Sequence, residues 1–342
     1  MRAAVYYNNR DVRLEEVERP KISDGEILIK VIASGICGSD VMEWYRIKKA
    51  PLVLGHEVAG IVEEAGKGVT RFSPGDRVTA AHHVPCNTCR YCLRGEHSVC
   101  DTLRTTNFFP GGFAEYVRVP AINVDRGVFS LPAGLSFEEG SFSEPLGCVV
   151  RGQRAARVEA GKSVLVIGSG LSGLLHIKLA RALGAGRIIA TDISDYRLDA
   201  AKRFGADLTL KATDDVPGIV RDFLGRGADV VILCAASDGA VTQGLKSVDR
   251  AGTALFFALK EPGQTYPLPV FDLWRDNVTI VNSYASPPYD TQVALDLMES
   301  KRVEVSDMIT HRLSLGEAQL GFRLTAEAKD SMKVIIEPQR QR

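Results

Sequence analysis

The sequence has no excess of charge of either sign and no long apolar run. Lys and Arg number 42, as do Asp and Glu, so the formal net charge of the 342 residues is zero. Nucleic acids and anionic membranes attract strongly basic surfaces, so we expect neither as a partner. No uninterrupted apolar stretch approaches the ~20 residues of a membrane span.

The sequence also lacks a secretory signal and an even number of cysteines. Polar and then charged residues follow the segment 1–7, without an apolar core or a cleavage site. The chain has seven Cys, so metal binding is favoured over a disulfide framework. We therefore expect a cytoplasmic protein whose partner is a small molecule.

Two kinds of pattern divide the chain. Residues 1 to about 35 alternate apolar and polar side chains between Gly and Pro corners, and another strand pattern covers 58–62. This predicts a small, mainly β, barrel-like domain. From residue 163 onward strand and helix patterns alternate, which predicts a doubly wound parallel sheet. The length allows two such domains.

Residues 37–57 contain side chains of the kinds that bind zinc. Cys37 is followed by Ser39, and His56 and Glu57 lie at the end of the stretch. Zinc takes thiolate, imidazole and carboxylate ligands, and a catalytic zinc keeps one position open. The spacing alone is not diagnostic, because a buried thiol, a core His and a surface Glu would give the same pattern.

A second stretch has four closely spaced cysteines, namely Cys86, Cys89, Cys92 and Cys100. A closed shell of four sulfurs suits a structural zinc. An iron–sulfur cluster is the alternative, but the ferredoxin pattern has a shorter last gap and a following Pro, whereas Asp101 follows here. A redox Cys-x-x-Cys pair is disfavoured, because three thiols are evenly spaced and no helix start accompanies them.

A third stretch predicts a dinucleotide-binding loop. The apolar run 163–167 predicts a buried parallel strand, and a helical pattern covers 174–183. The Gly-x-Gly-x-x-Gly sequence between them lets the backbone approach a pyrophosphate at a helix N-terminus. The predicted cofactor-binding residues of the loop are Gly168, Gly170, Leu171, Ser172 and Gly173.

An acidic residue follows at the position that fits a ribose-binding carboxylate. Asp192 ends the next strand pattern, about 20 residues after the loop. Its charge would repel a 2′-phosphate, so NAD is favoured over NADP. Arg197 lies close enough in sequence to leave NADP open, and we include it among the cofactor-binding residues.

Glu144 is a charged residue in a small and apolar neighbourhood. The segment 142–148 begins a helix pattern, with Pro145 suited to the first turn. Glu144 either caps this helix from the surface or provides a further carboxylate at the metal.

Together these stretches resemble the zinc-dependent medium-chain dehydrogenases, in particular the branch of the sorbitol and threonine dehydrogenases. The resemblance covers nearly the whole chain. It is carried by Cys37-Gly-Ser39-Asp40, Gly55-His56-Glu57, the four cysteines, Ser143-Glu144-Pro145-Leu146 and the glycines at 168–173. It implies an α/β fold in which a GroES-like β-barrel catalytic domain carries an inserted Rossmann doubly wound parallel sheet. The resemblance implies that residues 1–152 form the first part of the catalytic domain, 153–287 the inserted domain, and 288–342 the segment that returns to the catalytic domain.

The resemblance also implies two zinc ions per chain, one catalytic and one structural. Cys37 and His56 would bind the catalytic zinc, with Glu57 and Glu144 sharing the remaining coordination. Glu144 stands where liver-type alcohol dehydrogenases have Cys, which matches the sorbitol- and threonine-like branch. The four cysteines of the second stretch would bind the structural zinc. A homo-oligomer, either a dimer or a tetramer, is implied as well.

The implied reaction is the NAD-linked oxidation of a secondary alcohol, in a polyol, cyclitol, sugar or hydroxy amino acid. Zinc would favour the alkoxide, Ser39 would relay the proton, and the hydride would pass to nicotinamide. Met42 stands where the branch often has His, so the relay would end at Ser39 and the cofactor ribose or use another group. The alternatives are a zinc-free enone or quinone reductase on the same fold, and a non-catalytic, nucleotide-sensing relative.

Overall fold

The computed structural model describes residues 1–341, which form two compact units. Unit 1 combines residues 1–147 with the segment from 285 onward, and unit 2 consists of residues 148–284. The chain therefore leaves unit 1, completes unit 2 and then returns to unit 1. Within the described range, no helix has the length and apolar character that crossing a membrane requires.

The N-terminal part of unit 1 is mainly β. Its strands are β1 Arg2–Asn8, β2 Asp11–Glu16, β3 Ile27–Gly35, β4 Leu52–Val53, β5 Glu57–Ala65, β6 Arg77–Ala81, β7 Tyr116–Val119 and β8 Val128–Ser130. Its helices are α1 Glu43–Arg46, α2 Asp101–Thr105, α3 Ala121–Arg126 and α4 Phe137–Ser141. Helix α5, Ser143–Ala155, begins in unit 1 and ends in unit 2.

Strands and helices alternate through unit 2, as the sequence predicts. In chain order they are β9 Ser163–Ile167, α6 Leu171–Ala182, β10 Arg187–Asp192, α7 Asp195–Arg203, β11 Leu208–Lys211, α8 Val216–Leu224, β12 Ala228–Leu233, α9 Asp238–Ser247, β13 Val248–Phe256, α10 Val270–Arg275 and β14 Thr279–Asn282. The returning segment of unit 1 contains α11 Pro288–Glu299, β15 Ile309–Leu313, α12 Ala318–Glu327 and β16 Lys333–Ile336.

Unit 1 has a seven-stranded sheet and a three-stranded sheet. The larger follows the order β15-β16-β3-β5-β6-β8, with β7 also paired to β3, and the smaller follows β2-β1-β4. Every pair is antiparallel except β15 with β16. Because β16 pairs with β3 at Ile335 and Gly35, the returning segment completes a sheet that the N-terminal segment begins.

Side chains of β3 and β5 supply much of the core of unit 1. Ile27, Ile29 and Val31 of β3 are fully buried, and they cluster with Val58 and Val62 of β5. Their spacing of two and four residues places the members from one strand on the same face of the sheet. The alternation in the sequence therefore identifies this core correctly.

Unit 2 is a six-stranded parallel sheet with the order β11-β10-β9-β12-β13-β14. Counted from its first strand, this order is 3-2-1-4-5-6, as in dinucleotide-binding doubly wound folds. All five residues of β9 are buried, which agrees with its continuous apolar run. The strand order reverses between β9 and β12, and ligands of such sheets bind outside the strand ends at that point.

Candidate active site and metal centres

The four predicted structural cysteines meet in the loop between β6 and α2. Their sulfur atoms all lie within 4.8 Å of one another. The measured separations are 3.9 Å for Cys86–Cys92, 3.5 Å for Cys89–Cys92 and 3.6 Å for Cys86–Cys100. A tetrahedral zinc with bonds of about 2.3 Å needs about 3.8 Å between its sulfurs, so this group fits a structural zinc.

Backbone amides of the loop already point at these sulfurs. The Cys89 N–H donates to Cys86 Sγ at 3.2 Å, and the Cys86 N–H donates to Cys100 Sγ at 3.4 Å. Hydrogen bonds from Thr88, followed by that from Cys89, lower the pKa of Cys86 to about 5. The loop has only a small apolar cluster, in which the fully buried Leu103 packs against the cysteines. We therefore expect a bound metal to contribute much of its stability.

The second metal group consists of Cys37, His56 and Glu57, whose ligand atoms also lie within 4.8 Å of one another. Cys37 lies just beyond the end of β3, and Glu57 begins β5. The antiparallel pairing of Gly35 with Glu57 brings these two strand ends together. The sheet register therefore assembles the group, which the spacing of its members in the sequence could not establish.

Asp40 orients the imidazole of this group. Its Oδ1 lies 3.3 Å from His56 Nδ1, and its Oδ2 accepts a hydrogen bond from the Cys37 N–H at 3.0 Å. A carboxylate on Nδ1 leaves Nε2 for a metal, the usual arrangement behind a ligating His. Burial would raise the pKa of Asp40, but the charges of His56 and Arg46 lower it. Burial would lower the pKa of His56, but Asp40 and Cys37 raise it well above its usual value.

Lys333 is a buried cation that the sequence analysis missed. Its Nζ forms an ion pair with Glu57 Oε2, and both side chains are 0% exposed. Gly35 leaves the space, because a Cβ there would overlap Glu57 Oε2 and Lys333 Cε. Glu57 Oε1 is buried and has no hydrogen-bond partner among residues 1–341, so one carboxylate oxygen is available to a metal. The only signal for Lys333 was a charge at the start of an apolar strand.

Glu144 lies outside the group that Cys37, His56 and Glu57 form. It is in the first turn of α5 and is 9% exposed. The neighbouring Ser143 Oγ lies 2.8 Å from Thr79 Oγ1 of β6. Glu144 is thus buried rather than on the surface, and its place in the coordination stays a proposal.

Ser39 lies in the 3₁₀ turn Gly38–Val41, directly after Cys37. Its Oγ accepts a hydrogen bond from Arg46 Nη2 at 3.0 Å, and its carbonyl oxygen accepts one from Arg46 Nε at 2.9 Å. The same Nη2 lies 3.4 Å from Asp40 Oδ1. Arg46 was missed because no motif marks it, although it ends the short helix that follows Met42.

Two further histidines, His82 and His83, lie beside the second metal group. The ring centroids are 4.7 Å apart for His56 and His82, and 3.8 Å apart for His82 and His83. Burial lowers the pKa of His82 well below its usual value and lowers that of His83 to about 4. Both side chains are therefore neutral at pH 7. The sequence shows the pair just after β6, without a spacing that would have suggested a site.

The glycine loop of unit 2 has the geometry of a pyrophosphate cradle. Gly168 has φ +93°, which a side chain would strain. A Cβ on Gly173 would overlap the Gly168 carbonyl oxygen, so α6 packs directly against the strand end. A Cβ on Gly170 would meet only Arg197, at 3.8 Å, so the loop faces open space there. Leu171 and Ser172 begin α6, whose N-terminus favours an anion.

Asp192 lies at the end of β10, next to this loop. Its Oδ2 accepts a hydrogen bond from the Ser169 N–H at 2.8 Å, and its Oδ1 accepts one from the Ser194 N–H at 2.9 Å. Arg197 Nη1 is 3.8 Å from Asp192 Oδ2. The acid is thus held beside the loop, with a cation on one side of it.

Known proteins resemble the chain over almost its full length. Residues 23–132 match the alcohol dehydrogenase GroES-like domain, and residues 173–300 match the zinc-binding dehydrogenase family. The chain is 38% identical over 334 residues to the L-threonine 3-dehydrogenase of Bacillus velezensis, with 94% of each chain covered. It is 30% identical over 361 residues to the sorbitol dehydrogenase of Bacillus subtilis, with 99% of this chain and 98% of the relative covered.

A solved structure agrees with these relatives. The alcohol dehydrogenase TADH from Thermus sp. ATN1 is 30% identical and aligns with a TM-score of 0.88, over 98% of this chain and 99% of the other. The fold and the two metal groups therefore define a zinc-binding dehydrogenase. The chain belongs to the zinc-dependent medium-chain dehydrogenase family, in its sorbitol- and threonine-dehydrogenase-like branch. This confirms the predicted fold and the predicted zinc enzyme, and it leaves the zinc-free alternative without support.

Proposed function

We propose that the protein oxidises a secondary alcohol group of a polyol, cyclitol, sugar or hydroxy amino acid to a ketone, with NAD as hydride acceptor. The observation that carries this proposal is the group of Cys37, His56 and Glu57, with ligand atoms within 4.8 Å of one another. Two relatives are named for threonine and sorbitol, and both of these compounds contain secondary alcohols.

Cys37 and His56 would hold the catalytic zinc, with Glu57 and Glu144 sharing the remaining coordination. Bound zinc supplies a Lewis acid that polarises the alcohol oxygen and favours loss of its proton. Asp40 fixes the imidazole of His56 in the orientation that this coordination needs. The Ser39 hydroxyl would exchange a proton with the reacting alcohol oxygen.

The glycine loop and Asp192 would hold the dinucleotide, whose nicotinamide supplies the hydride acceptor. Backbone N–H groups of Leu171 and Ser172, at the start of α6, would face the pyrophosphate. Asp192 would accept hydrogen bonds from the ribose hydroxyls, and its charge opposes a 2′-phosphate. The carboxylate is only 6% exposed, which strengthens this discrimination.

The Asp192→Asn variant is expected to lose the preference for NAD. The amide keeps the size of the side chain but removes the charge, so hydrogen bonds to ribose weaken and repulsion of phosphate disappears. We expect the ratio of kcat/KM with NAD to that with NADP to fall about 10- to 100-fold, the equivalent of one charged hydrogen bond. Steady-state kinetics with each cofactor measures this ratio.

The exposed Asp199 of α7 provides the matched control for this variant. An Asp199→Asn change removes the same charge from the helix that follows β10, and it should leave the cofactor ratio within about twofold. An unchanged ratio in Asp192→Asn would show that Asp192 does not select the cofactor.

The substrate class is tested by NADH formation across polyols, cyclitols, sugars, threonine and simple secondary alcohols, with NADP in parallel. Turnover of one class by the zinc-loaded protein, and its loss in Cys37→Ser, is the expected outcome. Retained zinc without turnover of any alcohol would favour the non-catalytic alternative instead.

We further propose a homo-oligomer, a dimer or a tetramer, that forms through unit 2. The edge strand β14 has only β13 as a neighbour among the described strands, and an unpaired edge favours pairing with another chain. Phe271 and Trp274 of the adjacent α10 are 67% and 75% exposed. Light scattering after gel filtration should give a molar mass that is a multiple of the 37.1 kDa of one chain, and the Trp274→Glu variant should have a lower molar mass.

We also propose the domain ranges 1–152, 153–287 and 288–342. We further propose a cytoplasmic location. The divisions between the two compact units, at 147/148 and 284/285, support the ranges. A reducing compartment would keep the cysteine sulfurs available to metal, which supports the location.

A further inference from the structure

We propose that Arg46 is a positioning residue for the alcohol oxidation. Its guanidinium occupies one lone pair of the Ser39 hydroxyl, so that the second lone pair accepts the proton of the reacting alcohol and the Ser39 O–H donates its own proton to water. It also puts a permanent positive charge beside this hydroxyl. The inference rests on the proposed function, because Ser39 matters in this way only beside a reacting alcohol.

The geometry holds Arg46 in a single orientation. Two of its nitrogens donate to Ser39, one to the carbonyl oxygen at 2.9 Å and one to Oγ at 3.0 Å. The guanidinium carbon lies 4.6 Å from the centre of the Tyr45 ring, and the side chain is 15% exposed. A planar fork with fixed donors and a stacked ring loses little freedom when it binds two acceptors.

The chemistry of the two side chains determines which way the Ser39 proton points. A hydroxyl has one donor and two acceptor lone pairs, whereas a guanidinium only donates. Arg46 therefore occupies one lone pair of Ser39 Oγ. The second lone pair is left to accept the alcohol proton, and the O–H is left to donate to water. The positive charge also stabilises negative charge that develops on the alcohol oxygen as its proton leaves.

The same chemistry determines where the proton cannot go. Arginine stays protonated in proteins, so Arg46 can accept no proton from Ser39. Ser39 is partly exposed, so as its Oγ takes the proton of the alcohol, its own O–H proton passes to water while Arg46 keeps its protons. Met42, at the position where the branch often has His, cannot accept the proton either.

A purely structural role for Arg46 would act through Asp40. Arg46 Nη2 lies 3.4 Å from Asp40 Oδ1, and the same oxygen lies 3.3 Å from His56 Nδ1. Loss of the guanidinium could in that case loosen the imidazole and release zinc. Zinc content therefore separates the two roles without reference to turnover.

The test compares Arg46→Met, Arg46→Lys and Arg46→Ala with the wild type, on whichever alcohol the wild type oxidises. Arg46→Met should lower kcat about 10- to 100-fold, the equivalent of one charged hydrogen bond, with KM changed less than about threefold. Arg46→Lys keeps the charge and should recover part of this loss. Zinc content should equal that of the wild type in all three variants.

Chemical rescue sharpens the test. Methylguanidinium should restore part of the activity of Arg46→Ala, in which the space for it is open, but not of Arg46→Met, in which the side chain fills that space. Sodium chloride at the same ionic strength should restore neither. The matched control is Lys48→Met, an exposed cation of the same segment, which should behave as the wild type.

Three outcomes would overturn the inference while the wild type is active. They are an unchanged kcat in Arg46→Met, a raised KM at constant kcat, which would make Arg46 a substrate-binding residue, and loss of zinc without methylguanidinium rescue. A wild type that retains zinc but oxidises no alcohol would instead refute the proposed function, and the role of Arg46 with it.

Discussion

Alcohol oxidation by the Cys37→Ser variant is expected to fall about a thousandfold or more. Cys37 would provide the thiolate of a metal group that His56 and Glu57 complete. A Lewis acid at the reacting oxygen contributes several kcal/mol, and each 1.36 kcal/mol corresponds to a factor of ten in rate. A serine hydroxyl does not ionise at neutral pH, so it binds zinc far more weakly than a thiolate does. The measurements are kcat/KM and the zinc content per chain.

The four-cysteine group provides a matched variant within the same unit. Cys89→Ser makes the same chemical change, but at the group that fits a structural zinc. Both variants should drop from two zinc ions per chain to one. Only Cys37→Ser should combine this drop with an undiminished melting temperature, whereas Cys89→Ser should lower the melting temperature, because metal binding there contributes to folding. Activity above a tenth of the wild type in Cys37→Ser would contradict a catalytic role for its metal group.

The features predicted correctly from the sequence are those that local spacing determines. The four cysteines lie within one loop, and the three glycines within one strand–turn–helix unit, so neighbouring residues largely fix their geometry. The alternation of strands and helices in unit 2 follows equally directly, because strands such as β9 and β12 are apolar runs between helical patterns. Local patterns of this kind can be recognised without knowledge of the rest of the chain.

Contacts between distant segments could not be predicted. Lys333 reaches Glu57 only because β16 pairs with β3, and nothing near either residue in the sequence points to the other. Arg46 reaches Ser39 over a shorter range, because the 3₁₀ turn Gly38–Val41 and the short helix α1 bring the two side chains together, and neither element has a marked sequence pattern. His82 lies beside His56 because β5 and β6 are antiparallel neighbours.

The predicted boundaries of helices and strands were wrong where residues without a periodic apolar pattern extend the element. Helix α6 begins at Leu171, although the apolar pattern begins only at Leu174, because Ser172 and Gly173 carry no periodic signal. Strand β13 begins at Val248, and its first four residues are partly or fully exposed and include Ala251 at φ +57°. Periodicity detects burial, so it cannot detect the exposed ends of an element.

The Lys333→Met variant is expected to lose about 3–5 kcal/mol of stability in unit 1. The change keeps an apolar side chain of similar length but leaves the fully buried carboxylate of Glu57 without its cation. Removal of one partner from a buried ion pair typically has this effect, because the remaining charge stays desolvated. For a unit of about 200 residues this loss lowers the melting temperature by roughly 6–20 °C, which calorimetry can measure.

Two further variants separate the buried charge from the loss of packing. Lys329→Met removes an exposed lysine from the same segment and should leave the melting temperature within about 2 °C. Lys333→Met combined with Glu57→Gln removes the charge itself, so it should recover most of the stability that the single variant loses. A single variant as stable as the wild type would mean that the pair does not hold this part of the sheet together.

Zinc loading makes the same variant a test of which carboxylate faces the metal. If Glu57 Oε1, which has no protein partner within the described residues 1–341, lies against zinc, the metal provides the cation that Lys333→Met removes. The loss of stability should then be smaller in the zinc-loaded protein than in the zinc-depleted one, and the variant should bind zinc more tightly by the same free energy. An equal loss in both forms would mean that Glu57 contacts no metal. Glu144, which is also buried, would then be the carboxylate that completes the site with Cys37 and His56.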